Sequence, residues 1–382
     1  MIPAQQTGGA GAGALSTAPD PLLAASRAAP AAAPAARDRS ALPSTPASLP
    51  PAPGSLLLPG GPAWGRHAGR LPALDWQGRA PVGQRTAAWR WLRHKRWHYV
   101  GIQAGPVFIG LAIVDVGWCR TAFAYLHEAG SGLLAEVRRD APPGWGQVSA
   151  TVGGAGSRLA LPGAAWSLQS VPDGLAVRLR SRALDIDARL RTAPLPPAPG
   201  EPPAAPWLLA VGTVAGGGPH ATQKSPALPV SGQARAGGRS FRLDGGMASI
   251  DSSAGYLPRE TAWRWASAHA PGLGFNLQAG YFGEQENALW LDGRLIPLAA
   301  ARFDFDAAQP LRPWHIATDD GLLDLVFTPQ GARAEDRQLL LAASHYVQPI
   351  GRFDGTVRPA AGAAPRAVSG LIGVTEDHRS RW

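Results

Sequence analysis

The stretch that decides the fold class is L-A-V-R-L-R-S-R-A-L-D-I-D-A-R-L-R, residues 175–191. In residues 175–180 and 184–191, apolar residues alternate with polar or small ones. A period of two is typical of antiparallel strands that turn one face to a core and the other to water. The stretch therefore predicts two half-buried antiparallel strands.

Short runs of similar character recur along the chain, separated by some of its 47 glycines and 38 prolines. Their spacing of about ten residues is typical of an all-β barrel or sandwich. Strands are predicted at 107–118, 121–127, 207–213, 229–235, 240–249, 287–298, 300–306, 321–328, 339–350, 352–358 and 367–376. Residues 260–269 have a helical pattern, so we expect a short helix there. The sequence therefore predicts an all-β protein with few short helices.

The ends and linkers differ in composition from the strand-rich part. The 382 residues are enough for two ordinary domains or one large all-β domain. Residues 1–52 are rich in Ala, Pro and Gly, contain no aromatic residue and cannot bury enough apolar surface to fold. We expect them to form a disordered extension, with ordered sequence from Leu71 onward. The Pro-rich residues 192–206 are expected to be a loop or linker.

The cysteine count and the apolar runs exclude several protein classes. Cys119 is the single cysteine, so neither an intrachain disulfide nor a cysteine metal cluster can form, and a reducing compartment is expected. Residues 1–10 lack the basic and apolar regions of a secretory signal. The longest apolar stretch, residues 107–118, is too short to span a bilayer. We expect a soluble, cytoplasmic protein.

Motifs for common cofactors are also missing from the sequence. It contains no P-loop, no G-x-G-x-x-G between a strand and a helix, and no G-x-S-x-G. His94 and His98 would share one face of a helix, but no third ligand follows at a fixed spacing. We therefore expect no cofactor and no metal. The net charge of +9 reflects a strong arginine bias, so no nucleic-acid partner is expected either.

Several short segments, in order over residues 71–382, carry a family resemblance. They are K-R-W-H-Y (95–99), T-Q-K (222–224), S-I-D-S-S-A-G-Y-L-P-R-E-T-A-W-R-W-A-S-A (249–268), G-F-N-L (274–277), E-N-A-L-W-L-D-G (286–293), L-D-L-V-F-T-P (323–329), G-R-F-D-G (351–355) and G-V-T-E-D-H-R-S-R-W (373–382). In these segments the chain resembles a largely uncharacterised family of bacterial and fungal proteins, domain of unknown function 2804 (DUF2804). The segment at 249–268 is the most specific.

That family is in turn similar to the lipocalin-like carotenoid hydratases and tocopherol cyclases. The resemblance implies two tandem antiparallel β-barrel modules, which we place at residues 71–262 and 263–382. It also implies a cavity suited to an apolar molecule. It implies no established activity, because the nearer family has none assigned.

Glu376, Asp377 and His378 form the first candidate catalytic group. Three neighbouring titratable groups at a strand end can shift one another's pKa and supply an acid–base pair. Strand alternation would direct Glu376 and His378 to one face and Asp377 to the other. A carboxylic acid inside a barrel could protonate an alkene or epoxide, as isoprenoid hydration or cyclisation requires. The alternative is that these groups bind Arg379, Arg381 or backbone atoms.

Asp251 and Lys224 form the second candidate group. Lys95 and Lys224 are the only lysines of the sequence, and a lysine retained against the arginine bias indicates a need for a compact ammonium group. A buried carboxylate beside an ammonium group is a candidate for catalysis or ligand binding, so Asp251 joins the acid–base candidates. The alternative is a structural ion pair that closes a barrel.

Large aromatic and polar side chains supply the candidate ligand contacts. A tryptophan offers a large apolar surface and one hydrogen-bond donor. The expected ligand-binding residues are Lys224, Trp263, Trp265, Asn276, Glu284, Asn287, Trp290 and Trp382. For Asn276, Glu284, Glu286 and Asn287 the alternative is that they cap turns.

Three functions are compatible with these patterns. The leading hypothesis is that the protein binds an apolar, lipid- or isoprenoid-like molecule in a Trp-lined cavity. The second is a cofactor-independent hydratase, cyclase or isomerase that uses the four acid–base candidates. The third is a membrane-surface or partner-binding protein acting through residues 85–98, where arginines are interleaved with tryptophans.

Overall fold

A computed structural model describes residues 48–76, 85–149, 156–193, 205–338 and 342–382. Residues 1–47, which hold most of the expected disordered extension, lie outside the described residues. The one helix within those ranges is α1 (Ala87–Arg93). The hydroxyl group of Thr86 caps it by accepting a hydrogen bond from the Trp89 amide at 3.1 Å. None of the described helical structure is long and apolar enough to cross a membrane.

Among the described residues, sixteen strands precede the point where the chain changes sheet. Their bounds are β1 (Leu57–Leu58), β2 (Gly61–Pro62), β3 (Gly65–Ala68), β4 (His94–Ala104), β5 (Val107–Asp115), β6 (Arg120–Glu128), β7 (Gly132–Ala141), β8 (Ser157–Leu161), β9 (Ala164–Val171), β10 (Gly174–Ser181), β11 (Leu184–Arg191), β12 (Leu208–Thr213), β13 (Pro219–Lys224), β14 (Leu228–Ala236), β15 (Arg239–Arg242) and β16 (Gly246–Tyr256). β1 and β2 pair with each other, and the other strands form one antiparallel sheet.

The main path of this sheet runs β7-β6-β5-β4-β16-β14-β11-β10-β9-β8 and curls into a nearly closed barrel. β10 and β11 are the two strands that the alternation predicts, and their apolar residues Leu175, Val177 and Leu190 are fully buried. Together with Ile109 and Trp166 they belong to one apolar core. The first barrel is therefore packed by its own side chains.

β16 changes its partner along one edge. β4 pairs with residues 247–256 on one side of β16. On the other side, β14 pairs with residues 246–248 and β13 pairs with residues 251–255. β12 and β3 continue outward from β13. This branch places Lys224 of β13 directly opposite Asp251 of β16.

A second antiparallel sheet follows in the described part of the chain. Its strands are β17 (Glu260–Ala270), β18 (Leu273–Gly280), β19 (Ala288–Leu291), β20 (Arg294–Pro297), β21 (Ala301–Asp304), β22 (Trp314–Thr318), β23 (Leu323–Gln338), β24 (Ala343–Val357) and β25 (Arg366–Arg381). Their order is β20-β19-β18-β17-β25-β24-β23-β22-β21, and the sheet forms a half-barrel. Its core contains the fully buried side chains of Phe275, Trp314, Phe327 and Phe353.

The predicted all-β fold is confirmed, but the helix expected at residues 260–269 is wrong. These residues form most of β17, which pairs with β18 on one edge and with β25 on the other. Residues 265–269 are all buried. Because both faces of the strand are covered there, the polar–apolar alternation that marks a half-buried strand is lost.

Some predicted strand boundaries also differ from the structure. The strands predicted at 339–350 and 352–358 are parts of one strand, β24, although residues 339–341 lie outside the described residues. The strand predicted at 240–249 covers the end of β15 and the start of β16. A register shift near Phe353 interrupts the pairing of β24 with β25, which the residue pattern does not reveal.

The two sheets pack against each other through a separate apolar layer. The first sheet contributes Tyr99, Phe108 and Tyr125, and the second contributes Trp265 and Ile350. The rings of Tyr99 and Trp265 meet edge to face with their centroids 5.6 Å apart. This layer is distinct from both barrel cores, and it borders the candidate site.

Candidate functional site

A cavity of about 120 Å³ lies between the two sheets. One side of it is formed by β4, β5, β6 and β16, and the other by β17, β24 and β25, with the end of β13 and the loop after β18 completing the wall. Its polar lining consists of Lys224, Asp251, Glu286, Gln348, Glu376 and His378. The barrel interiors are filled with apolar side chains, so the acid expected inside a barrel faces an inter-sheet cavity instead.

Aromatic side chains make up much of the remaining wall. They include Trp97, Trp263, Trp265, Tyr281, Tyr346 and Trp382. The indole N–H of Trp265 donates to Asn276 Oδ1 at 2.8 Å, and that of Trp382 donates to Thr261 Oγ1 at 2.9 Å. Because these donors are satisfied by the protein, the two indoles offer the cavity mainly apolar surface.

An ion triad forms one end of the cavity. Lys224 Nζ lies 2.6 Å from Asp251 Oδ2 and 2.8 Å from Glu286 Oε2. Burial acts to lower the pKa of Lys224, but the charges of Asp251 and Glu286 outweigh it and the pKa is raised. Lys224 therefore remains an ammonium ion. Burial raises the pKa of Glu286, although Lys224 opposes this effect.

Donors on the first sheet hold the other oxygen of Asp251. Ser253 Oγ donates to Asp251 Oδ1 at 3.1 Å, and the indole N–H of Trp97 donates to the same oxygen at 3.3 Å. The hydroxyl group of Thr222 also donates to it, at 3.4 Å. With one oxygen on Lys224 and the other on three donors, the carboxylate of Asp251 has a fixed orientation.

Glu376 of β25 occupies a different environment in the same cavity. Its Oε1 accepts a hydrogen bond from the indole N–H of Trp263 at 2.8 Å, and its Oε2 accepts one from Gln348 Nε2 at 2.8 Å. Tyr125 donates its hydroxyl hydrogen to Gln348 Oε1, which turns the amide nitrogen toward Glu376. Each carboxylate oxygen thus receives one neutral donor from the protein.

His378 lies beside Glu376, and Asp377 lies on the opposite face of β25. His378 Nδ1 is 3.6 Å from Glu376 Oε1, and its Nε2 is 2.8 Å from the hydroxyl oxygen of Ser380. Asp377 is nearly buried and pairs with Arg264 at 3.3 Å, outside the cavity. The strand alternation predicted here is observed, and it separates Asp377 from the other acid–base candidates.

The structure brings seven of the sequence-predicted site residues into the cavity wall. These are Lys224, Asp251, Trp263, Trp265, Glu376, His378 and Trp382. Asp251 and Glu376 therefore face one common space, as acid–base chemistry between the two groups of candidates would require. The sequence alone leaves this question open.

Four predicted ligand contacts lie outside the cavity. Asn276 accepts from Trp265 and donates its amide to the Glu286 carbonyl, so it supports the wall from behind. Asn287 bridges the backbone of β18 and the segment after β20. Glu284 is exposed, and the indole N–H of Trp290 donates to the Pro206 carbonyl. Asn276 and Asn287 thus fit the turn- and backbone-binding alternative.

Sequence reasoning missed several residues of the wall. Gln348, Tyr281 and Tyr346 sit in no motif, and their neighbours in the chain carry no signal for a site. For Glu286 the sequence leaves both ligand binding and turn capping open, and the structure places this residue in the cavity wall.

Residues 85–98 do not form one uniform surface. Trp97 lines the cavity, and Lys95 is fully buried with its ammonium group donating to two backbone carbonyls at 2.7 Å. Burial lowers the pKa of Lys95 to about 7. Trp91 and Leu92 are exposed. A membrane- or partner-binding role for this segment stays a prediction.

A protein-family model matches the part of the chain that contains both the ion triad and Glu376. Residues 213–382 match the model of DUF2804, a domain of unknown function. The DUF2804 resemblance carried by the sequence segments is thereby confirmed over this range, which includes Lys224, Asp251 and Glu376. No curated protein matches the chain.

Solved structures include several that are similar to this chain. A candidate AttH protein from Nitrosomonas europaea has a TM-score of 0.49 at 15% identity, covering 75% of this chain and 92% of that chain. Kievitone hydratase from Nectria haematococca has a TM-score of 0.43 at 9% identity, covering 77% and 90%. CghA with Sch210972 has a TM-score of 0.47 at 12% identity, covering 76% and 88%. At these identities the similarity concerns the fold alone.

Proposed function

We propose that this protein binds a small, mainly apolar organic molecule in the cavity between its two sheets. The observation that carries the proposal is an aromatic wall interrupted by a few oriented polar groups, the composition typical of small-molecule sites. The cavity of about 120 Å³ is close to the ~150 Å³ that holds one benzene ring and well below the size of most drug-sized sites. A ring-sized group fits inside, and a longer isoprenoid-like chain would enter with one end.

Tryptophan fluorescence offers a direct test, because four indoles among the described residues border the cavity. Small aromatic probes should quench the emission in a saturable manner, and native mass spectrometry should detect a one-to-one complex. Ala112 lines the cavity, so Ala112→Leu should fill it and abolish saturable quenching. Ala307→Leu, at an exposed position, is the matched control and should bind like the wild type. Equal binding by both variants would place the ligand elsewhere and refute the proposal.

A second candidate function is acid–base catalysis on the bound molecule without a cofactor. It is favoured by the carboxylate of Glu376, which faces the cavity beside His378 at 3.6 Å. Molecules extracted from the purified protein would be incubated with it in H₂¹⁸O or D₂O and analysed by mass spectrometry. Incorporation of label that Glu376→Gln abolishes, with ligand affinity retained, would support catalysis. Unlabelled ligand after long incubation would leave binding as the sole function of the cavity.

A further inference from the structure

We propose that the molecule bound in this cavity carries a cationic nitrogen, which pairs with Glu376. This inference rests on the proposed function and names the chemical class of its ligand. Its basis is an imbalance of charge: the wall contains the carboxylates of Asp251, Glu286 and Glu376 and the single ammonium group of Lys224.

The ammonium group of Lys224 already pairs with two carboxylates at the far end of the site. It contacts Asp251 at 2.6 Å and Glu286 at 2.8 Å, and its side chain is 4% exposed. Neither Lys224 nor any described arginine lies within ion-pair distance of Glu376. Glu376 is therefore a cavity carboxylate without a permanent cationic partner.

The neighbouring arginine does not supply this missing charge. Arg333 stacks over the ring of Tyr346 with its guanidinium carbon 4.8 Å from the ring centroid. It pairs with Glu136 at 2.8 Å and with Glu335 at 3.2 Å. Its positive charge is thus balanced by two carboxylates outside the cavity.

The immediate partners of Glu376 suit a negatively charged group. Trp263 and Gln348 each donate one N–H, and an ionised carboxylate has only acceptors to offer. Tyr125 of the first sheet fixes the amide of Gln348 in the second sheet, so residues of both sheets determine which group faces Glu376. Two neutral hydrogen bonds only partly offset the cost of keeping a charge out of water, so a cation at this point would be strongly favoured.

The aromatic wall around Glu376 provides a second, independent attraction for a cation. Trp263, Tyr346 and Trp382 all border the cavity with Glu376. One face of Tyr346 already carries Arg333, and Lys95 Nζ lies over one face of Trp382 at 5.2 Å, so a ligand would contact the remaining ring surfaces. The faces of aromatic rings attract positive charge through their quadrupoles, most strongly when water is excluded. A carboxylate within a cluster of aromatic rings therefore selects an ammonium group attached to an apolar body over an alcohol or an acid.

Protonated His378 is the competing source of positive charge. Its Nδ1 lies 3.6 Å from Glu376 Oε1, while Ser380 and Ser344 place their hydroxyl groups 2.8 and 3.2 Å from Nε2. If His378 neutralised Glu376 in the working protein, an ammonium ligand would gain nothing over an alcohol. The two arrangements therefore predict different ligand preferences.

Three probes of similar size distinguish a Glu376 neutralised by His378 from a Glu376 that pairs with a ligand cation. They are 2-phenylethylamine, 2-phenylethanol and 3-phenylpropanoate. Their dissociation constants would be measured by calorimetry at pH 7 with the full-length chain. We expect the amine to bind about tenfold more tightly than the alcohol, and the acid to bind most weakly. In Glu376→Gln the amine should lose this advantage, while the alcohol keeps its affinity within about twofold.

Asp377→Asn provides the matched control, because it removes a carboxylate from the next residue on the outer face of the same strand. It should retain the preference for the amine.

Equal affinity of wild-type protein for amine and alcohol would overturn the cationic-ligand inference and leave the proposed function standing. Tightest binding of the acid would also overturn it. Binding of no probe would refute the proposed function itself, and the wild-type series decides these outcomes even if a variant fails to fold.

Discussion

At the scale of single residues, Lys224 contributes most to the energetics of the site, because the buried carboxylate of Glu286 and the partly buried carboxylate of Asp251 both pair with it. Lys224→Met removes the ammonium group and leaves Asp251 and Glu286 as uncompensated charges in a buried setting. We expect the free energy of unfolding to fall by about 3–5 kcal/mol, measured by urea denaturation at pH 7.

Restoring the charge balance should recover most of that loss. The triple variant Lys224→Met, Asp251→Asn, Glu286→Gln carries no buried charge at this position, and neutral groups of similar shape can replace a buried ion cluster at little cost. A triple variant as unstable as Lys224→Met would show that packing of the lysine side chain, and not charge compensation, accounts for its contribution.

At the scale of elements, the packing of β5 against β6 positions Tyr125, which orients the Gln348 amide that donates to Glu376. Gly110 of β5 pairs with Tyr125 of β6, and a Cβ atom added at Gly110 would clash with the Tyr125 ring. Gly110→Ala should therefore displace the Tyr125 hydroxyl from Gln348 and cost about 1–3 kcal/mol of stability. Gly54→Ala is the control, since a Cβ there meets no atom.

The displaced ring has a consequence for binding that a loss of stability alone would not produce. Without Tyr125, the Gln348 amide can rotate and present its oxygen to Glu376. The preference for 2-phenylethylamine over 2-phenylethanol should change in Gly110→Ala, whereas the affinity for 2-phenylethanol should change little. An unchanged preference in the folded variant would show that Tyr125 does not position the amide.

Buried and partly buried histidines on several strands make the fold sensitive to acid. Burial lowers the pKa of His94 and His98 on β4 to about 4, and that of His220 on β13 and His269 on β17 to about 3. Groups with a lowered pKa contribute stability that is present above their unfolded pKa near 6.5 and lost as pH falls toward the folded value. Each should remove about 1.4 kcal/mol per pH unit between pH 6 and pH 4.

A variant of His220 isolates one share of this pH dependence. Both ring nitrogens of His220 lack a hydrogen-bond partner, and its ring packs against Phe282 with centroids 4.8 Å apart. His220→Phe should therefore fold and should flatten the plot of unfolding free energy against pH by about 1.4 kcal/mol per unit. Urea denaturation at pH 6, 5 and 4 measures the slope, and a slope equal to that of the wild type would contradict the assignment.

The same elements show how far the sequence could be interpreted. β10 and β11 were predictable because each has one face in the core and one in water, which leaves a period of two in the residues. β17 was not, because its central residues are covered on both faces. Gln348 could not be recognised at all: its role depends on Tyr125, which lies 223 residues away in the chain and in the other sheet.

At the scale of the whole molecule, the position of the cavity follows from how the sheets pack. The family resemblance implies two barrels and a cavity, but each barrel interior is filled by its own apolar core. The cavity lies where the outer faces of the two sheets leave a gap beside their shared apolar layer. Which outer faces meet is a property of tertiary packing, so strand patterns alone could identify Asp251 and Glu376 without placing them in one space.

The shared layer should also make the two sheets unfold together. Ile350 of β24 is fully buried in that layer, and Ile350→Ala should cost about 2–5 kcal/mol. Because the layer joins both sheets, the variant should lower the urea midpoints of far-ultraviolet circular dichroism and of tryptophan fluorescence equally, with a single transition. Val326→Ala on the exposed face of β23 is the control and should change stability by less than about 0.5 kcal/mol. Two separated transitions in wild type or Ile350→Ala would show that each sheet is stable alone.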